Sequence, residues 1–256
     1  MKTFKKDALR VEIYPTRAQM GEAAARDIED TIQTLLTLQD EVNVIFAAAP
    51  SQNEVLAALV KSEKIDWTRV NAFHMDEYIG LDAAAPQAFG NFLKQRIFSL
   101  LPFASVSYID VAAKDAGKEA ARYAEVLTRK TPHVVVMGIG ENGHVAFNDP
   151  PVANFNDEKK VKVVKLDEIC RKQQVHDGCF PCLNDVPRYA ITLTVPTLMS
   201  AKHVFCIVPA KTKAQAVYNT LQGEIGEHCP ATALRLKENA RLYLDKDSAA
   251  LVEEND

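Results

Sequence analysis

The sequence predicts an α/β fold in which a mostly parallel, twisted sheet carries helices on both faces. Short apolar runs rich in β-branched residues recur along the chain, and helical patterns separate them. Two of the runs, VNVIFAA at 42–48 and HVVVMG at 133–138, are apolar almost throughout, as strands are when both faces of their sheet are covered.

The elements follow in order. A helical pattern over 16–38 leads into the strand at 42–48, and the loop AAAPSQNEVL opens a helix over 53–62. A strand at 69–75 runs out through NAFHMDEYIGL before a helical pattern over 87–100. A strand at 105–110 and a helix over 115–129 precede the central strand at 133–138, which breaks into GIGENGHVAFNDPP. Strands at 161–165, 189–195 and 203–208 come next; VPAKTKAQAV then starts a helix over 212–221, and a strand at 241–245 ends the series.

The 256 residues, 47% apolar and 25% charged, suit one soluble α/β domain over 1–256, with the terminal EEND as the sole disordered-looking tract. A net charge of -4 and a pI near 5.9 leave no broad basic surface for nucleic acid, though a local basic pocket for a small anion remains open. Nothing approaches about eighteen consecutive apolar residues, so no membrane contact and a cytoplasmic location are expected. Five cysteines without a secretory signal read as reduced thiols.

Ligands of such sheets bind where loops leave the carboxyl ends of strands, and four of these loops carry unusual chemistry. In PSQNE, free amides at a helix start favour an anion, with Ser51 and Gln52 as further donors; the plainer reading is that Ser51 or Asn53 caps the helix. Asp76 and Glu77 are adjacent at a strand end, where alternation aims one into the cleft and one away; the plainer reading is an acidic turn. In GIGENGH the third glycine is misplaced for a dinucleotide fingerprint. Gly138, Gly140 and Gly143 instead suit a tight loop holding His144 close to Asn142 and Asp149, a combination fit for acid–base work. Lys211 and Lys213 stand between a late strand and a helix, within reach of an anion or merely solvated. His176, Cys179 and Cys182 have zinc-like spacing, but a second Cys-x-x-Cys pair is lacking, so no metal is expected.

Taken together, HMDEYIGL, GIGENGHVAFNDP and a lysine after a late strand resemble the glucosamine-6-phosphate deaminase/isomerase family, whose relatives include 6-phosphogluconolactonases. The resemblance runs from about residue 42 to the last strand. It implies a Rossmann-like fold, no organic cofactor, and conversion of an amino-sugar phosphate to a keto-sugar phosphate and ammonia. Asp76 would match the base that moves a proton between C2 and C1, with Glu77 in support. His144 would match the ring-opening histidine, Asp149 the acid that orients it, and Lys213 a lysine on the substrate phosphate. Family members differ in assembly, so a homo-oligomer is compatible with the resemblance.

Three positions depart from the family pattern. Asn142 stands where a carboxylate is usual, which leaves Asp149 alone to set the imidazole or turns Glu141 inward to replace it. PSQNE lacks the glycines of the usual phosphate loop. Gln174 falls where an arginine is usual, and Arg171, one helical turn back, is the expected substitute. A sugar-lactone hydrolase and a non-catalytic sugar-phosphate-binding module are the alternative functions.

Overall fold

The computed structural model describes residues 1–253; of the terminal EEND, residues 254–256 lie outside the described residues. The strands are β1 (Lys2–Lys6), β2 (Leu9–Tyr14), β3 (Val42–Phe46), β4 (Val70–His74), β5 (Asp76–Tyr78), β6 (Ser105–Ser107), β7 (Val134–Met137), β8 (Val161–Lys165), β9 (Tyr189–Leu193), β10 (His203–Val208) and β11 (Ala240–Asp245). The α-helices are α1 (Arg17–Leu38), α2 (Asn53–Val60), α3 (Phe89–Leu93), α4 (Ala116–Arg129), α5 (Glu168–His176), α6 (Val195–Ser200), α7 (Ala214–Gln222) and α8 (Ala250–Glu253).

Eight strands form the main sheet in the order β1-β2-β11-β10-β7-β3-β4-β6, parallel except for the β1–β2 hairpin. Alternation along the central strands divides the core. Val42, Val44 and Phe46 of β3 face the side packed by α1 and α2, whereas Ile45 faces the side packed by α4 and α7. Both faces of the sheet are therefore covered, and the fold is the Rossmann-like α/β type. In α1, Thr16 caps the start by accepting from Gln19 N–H, and Met20, Ala24, Ile28, Ile32 and Leu35 form the buried stripe. Gly21 faces Glu54 so closely that a Cβ there would collide with it, which lets α1 and α2 pack backbone to backbone.

Two expected strands lie elsewhere. Residues 161–165 and 189–195 do not join the main sheet; β8 and β9 form a separate three-stranded antiparallel sheet with β5. The chain crosses between sheets at Met75, whose carbonyl accepts from Leu193 N–H at 2.8 Å. The alternating exposure of β8 fits a sheet with one open face. The β1–β2 hairpin was not expected, and the helical stretch over 87–100 is short α3 followed by a π-helical turn, Lys94–Phe98. Among the described residues no helix is long and apolar enough to cross a membrane.

Candidate active site

The strand order reverses between β3 and β7: the chain builds outward from β3 through β4 to β6, then returns to β7 on the other side. A crevice opens at the carboxyl ends of strands where such a switch occurs. Here it is a cavity of about 550 Å³, lined by the loops after β3, β4, β7 and β10 and closed by parts of α3 and α5.

The β7 loop positions His144. Gly140 N–H donates to the His144 carbonyl at 2.9 Å and Gly143 N–H to Gly140 at 3.0 Å, folding the loop tightly on itself. The imidazole lies against Gly140, where a Cβ would come 2.1–2.3 Å from three ring atoms, so glycine is required by contact. Gly143 is required by conformation, with φ +83°. His144 Nδ1 lies 2.7 Å from Asn142 Oδ1 and 3.0 Å from Asp149 Oδ1. Both are acceptors, so Nδ1 carries the proton and Nε2 is left without a partner among the described residues.

Asp149 is fully buried and is the hub of this arrangement. Asn142 Nδ2 donates to its Oδ1 at 3.0 Å and Asp167 N–H to its Oδ2 at 3.3 Å. Burial alone would raise its pKa; the His144 charge and these donors outweigh burial and hold it below the usual carboxylate range. His144, Asp149 and Cys170 also present metal-capable atoms within 4.8 Å of one another. Burial pushes the Cys170 thiol well up, so it remains a neutral thiol rather than a thiolate ligand. His176, Cys179 and Cys182 do not gather: Cys182 is exposed and bonds Asp185, and His176 faces Glu141.

Asp76 enters the cavity from β5. The fully buried His74 fixes its backbone: Nδ1 donates to the Asp76 carbonyl at 2.9 Å and Nε2 accepts from Ile109 N–H at 2.9 Å. Burial lowers the His74 pKa to about 4, so the ring is neutral and its tautomer set. The Asp76 carboxyl is raised well above its ordinary value, first by burial and then by the charge of Glu77. Glu77 points the other way, as alternation along a strand requires. It accepts from the backbone N–H groups of Tyr78, Phe89 and Gly90 at 2.9, 3.0 and 2.8 Å, seating the start of α3.

The cavity lining also carries cations. Lys213 is buried at its wall, and burial lowers its pKa against the opposing pull of Asp177 and Glu141. Arg17 and Arg96 also line the cavity, one from the first turn of α1 and one from the π-helical turn after α3. Ser51 of the β3 loop lines it too.

The model of the family described as glucosamine-6-phosphate isomerases/6-phosphogluconolactonase matches residues 15–243. The chain belongs to this family. It is 30% identical to a glucosamine-6-phosphate deaminase of Bacillus cereus over 96% of this chain and 90% of that one. A glucosamine-6-phosphate deaminase of Listeria welshimeri is 34% identical over 83% of this chain and 88% of that one. Among solved structures, one described as a monomeric glucosamine-6-phosphate deaminase superposes with a TM-score of 0.86 at 26% identity, covering 94% of this chain and 99% of that one. A 6-phosphogluconolactonase from Thermotoga maritima shares the fold, with a TM-score of 0.75 at 20% identity over 92% and 99% of the two chains.

Measured against the family pattern, the structure brings Asp76, His144, Ser51, Gln174 and Lys213 to one cavity, with Asn142 and Asp149 immediately behind the histidine. Four expected site residues lie differently. Glu141 does not turn inward: its N–H donates to Gln173 Oε1 at 2.8 Å and its carboxylate lies 3.7 Å from His176. Arg171 does not replace the missing arginine, because its guanidinium donates to the carbonyls of Leu183 and Val186 at 2.6 and 2.9 Å and ties down the loop after α5. Gln52 is fully buried under its loop, donating to Ser51 Oγ at 3.0 Å and Ile207 O at 3.2 Å. Glu77 seats α3 and stays out of the cavity lining.

No side chain caps α2, so the plainer reading of Ser51 or Asn53 as its cap does not hold. Arg17, Arg96, Gln173 and Asp177 line the cavity without having been singled out in the sequence. Each reads there as ordinary helix-surface polarity, and the one available signal was the Glu54 that Arg17 pairs with at 2.7 Å.

Proposed function

We propose that the protein is an amino-sugar-phosphate deaminase/isomerase, converting a hexosamine 6-phosphate of the glucosamine or galactosamine type and water into the keto-hexose 6-phosphate and ammonia. The observation that carries this reading is a buried carboxyl, Asp76, sharing one cavity with an imidazole, His144, whose Nδ1 is fixed and whose Nε2 faces no protein partner.

In this reading His144 Nε2 takes the C1 hydroxyl proton and returns a proton to the ring oxygen, opening the pyranose. Asp149 and Asn142 hold the ring and stabilise its charged form. Asp76 then removes the C2 proton and delivers it to C1; burial makes it a stronger base than an exposed carboxylate. The resulting C2 imine adds water and releases ammonia. Both proton transfers lie within the reach of carboxylate and imidazole, so the reaction asks for no organic cofactor. Lys213 and Ser51 hold the phosphate, and Gln174 borders the sugar. Glu77 supports Asp76 through α3 rather than touching substrate. Residues 1–256 act as one α/β domain, with the cytoplasm as the working compartment.

Ammonia release from each hexosamine 6-phosphate is the direct test, with hydrolysis of 6-phosphogluconolactone measured in parallel. Lactone hydrolysis without ammonia release would replace the assignment. Activity untouched by both Asp76→Asn and His144→Gln would remove it.

A further inference from the structure

The β3 loop reaches the cavity without glycine, and its side chains point to cations. Arg17 Nε donates to Glu54 Oε1 at 2.7 Å and its Nη2 to the Pro50 carbonyl. Arg96 Nε donates to Asn53 Oδ1 at 2.8 Å, and its guanidinium is stacked 3.8 Å over the Phe92 ring. The two arginines thus hold the same five-residue stretch from two different helical segments. Each keeps terminal N–H groups without a partner among the described residues, and both line the cavity.

In the same lining Ser51 accepts from Gln52, which leaves its hydroxyl proton free to donate, and Lys213 comes from the β10 loop. From α5 the cavity receives the neutral amides of Gln173 and Gln174.

We infer that Arg17 and Arg96 form the phosphate receptor of this enzyme, bracketed by Glu54 and Asn53, so that guanidinium forks recognise the substrate's phosphomonoester. The inference rests on the proposed function for the identity of the phosphate's carrier, and on geometry alone for the anion site. A fork whose Nε is already fixed presents its remaining donors in one plane, the arrangement that suits two phosphate oxygens. Stacking on Phe92 fixes the plane of Arg96 further.

The test titrates inorganic phosphate into the wild type, Arg17→Gln and Arg96→Gln at constant ionic strength, and follows turnover of the hexosamine 6-phosphate and of unphosphorylated hexosamine. Each substitution is expected to weaken phosphate binding about tenfold or more and to raise KM with a smaller change in kcat. Slow turnover of the unphosphorylated sugar should fall by much less than turnover of the phosphorylated one. Asn53→Ala, which removes a bracket and keeps the charge, is expected to cost a few-fold. Lysine at either position should recover part of the affinity, which separates lost charge from a misfolded loop.

Phosphate affinity unchanged in both glutamine variants would overturn the receptor while leaving the deaminase reading intact. Equal losses on phosphorylated and unphosphorylated sugar would also overturn it. Arginine-dependent phosphate binding in a wild type that releases no ammonia would do the opposite, removing the proposed reaction and keeping the receptor.

Discussion

The loops after β7 and β3 leave neighbouring strands and line one cavity, but they are built by different means. The β7 loop uses glycines: Gly140 gives the imidazole its seat, and Gly143 makes the turn that returns the chain to it. The β3 loop has no glycine and works through side chains, with Gln52 pinning it from below and Asn53 and Glu54 holding arginines that come from elsewhere. A site that must place one atom for proton transfer is made locally and rigidly. A site that must supply charge can be assembled from distant segments.

The largest effects should come from removing the reacting groups. Asp76→Asn and His144→Gln are each expected to lower kcat by about a thousandfold with the fold retained, measured by ammonia release and circular dichroism. Gly140→Ala tests the local construction. Its methyl must displace the imidazole, and a loss of about a hundredfold in kcat at nearly unchanged phosphate affinity is expected. Asn142→Ala removes one acceptor from His144 and one donor from Asp149, leaving the His144–Asp149 contact, and should cost about tenfold.

The pH profile reads Asp76 directly. Its pKa is raised, so the ionised base is lost as pH falls through a value above the ordinary carboxylate range. The acid limb of kcat/KM should therefore lie well above pH 4, and a limb at the usual carboxylate value would contradict a buried base.

The smallest effect comes from a third loop. Ala210, at φ 83° and ψ 148°, occupies a conformation natural to glycine, with its N–H held by Asp245. Ala210→Gly should stabilise the protein by about 1 kcal/mol, measured by urea unfolding.

This difference in construction also explains what could be read in the sequence. The β7 loop was legible because its glycines, histidine and acid are contiguous, and β3 and β7 were legible because burial on both faces removes polar alternation. Arg17 and Arg96 were not, because each sits on a helix where arginine is the ordinary surface residue, and only folding brings them to PSQNE. The small sheet was illegible for another reason. β5 has three residues, too few for a period-2 pattern, and its partners β8 and β9 look in isolation like members of the main sheet. The β1–β2 hairpin was hidden by charge: Glu12 lies buried within β2, held by Arg10 at 2.7 Å and Tyr14 at 2.6 Å.

His74 joins the two sheets with a neutral ring that accepts Ile109 N–H and donates to the carbonyl of Asp76. Its pKa of about 4 in the fold, against 6.5 in the unfolded chain, means that only the unfolded chain gains a proton as pH falls across that window. Stability contributed by the neutral ring is complete above pH 6.5 and declines by about 3 kcal/mol on the way down to pH 4. Acid therefore reaches this protein twice at neighbouring residues. Protonating Asp76 silences the base in an intact molecule, whereas protonating His74 turns its Nε2 from an acceptor into a second donor and expels Ile109 N–H from the ring that carries the base's strand.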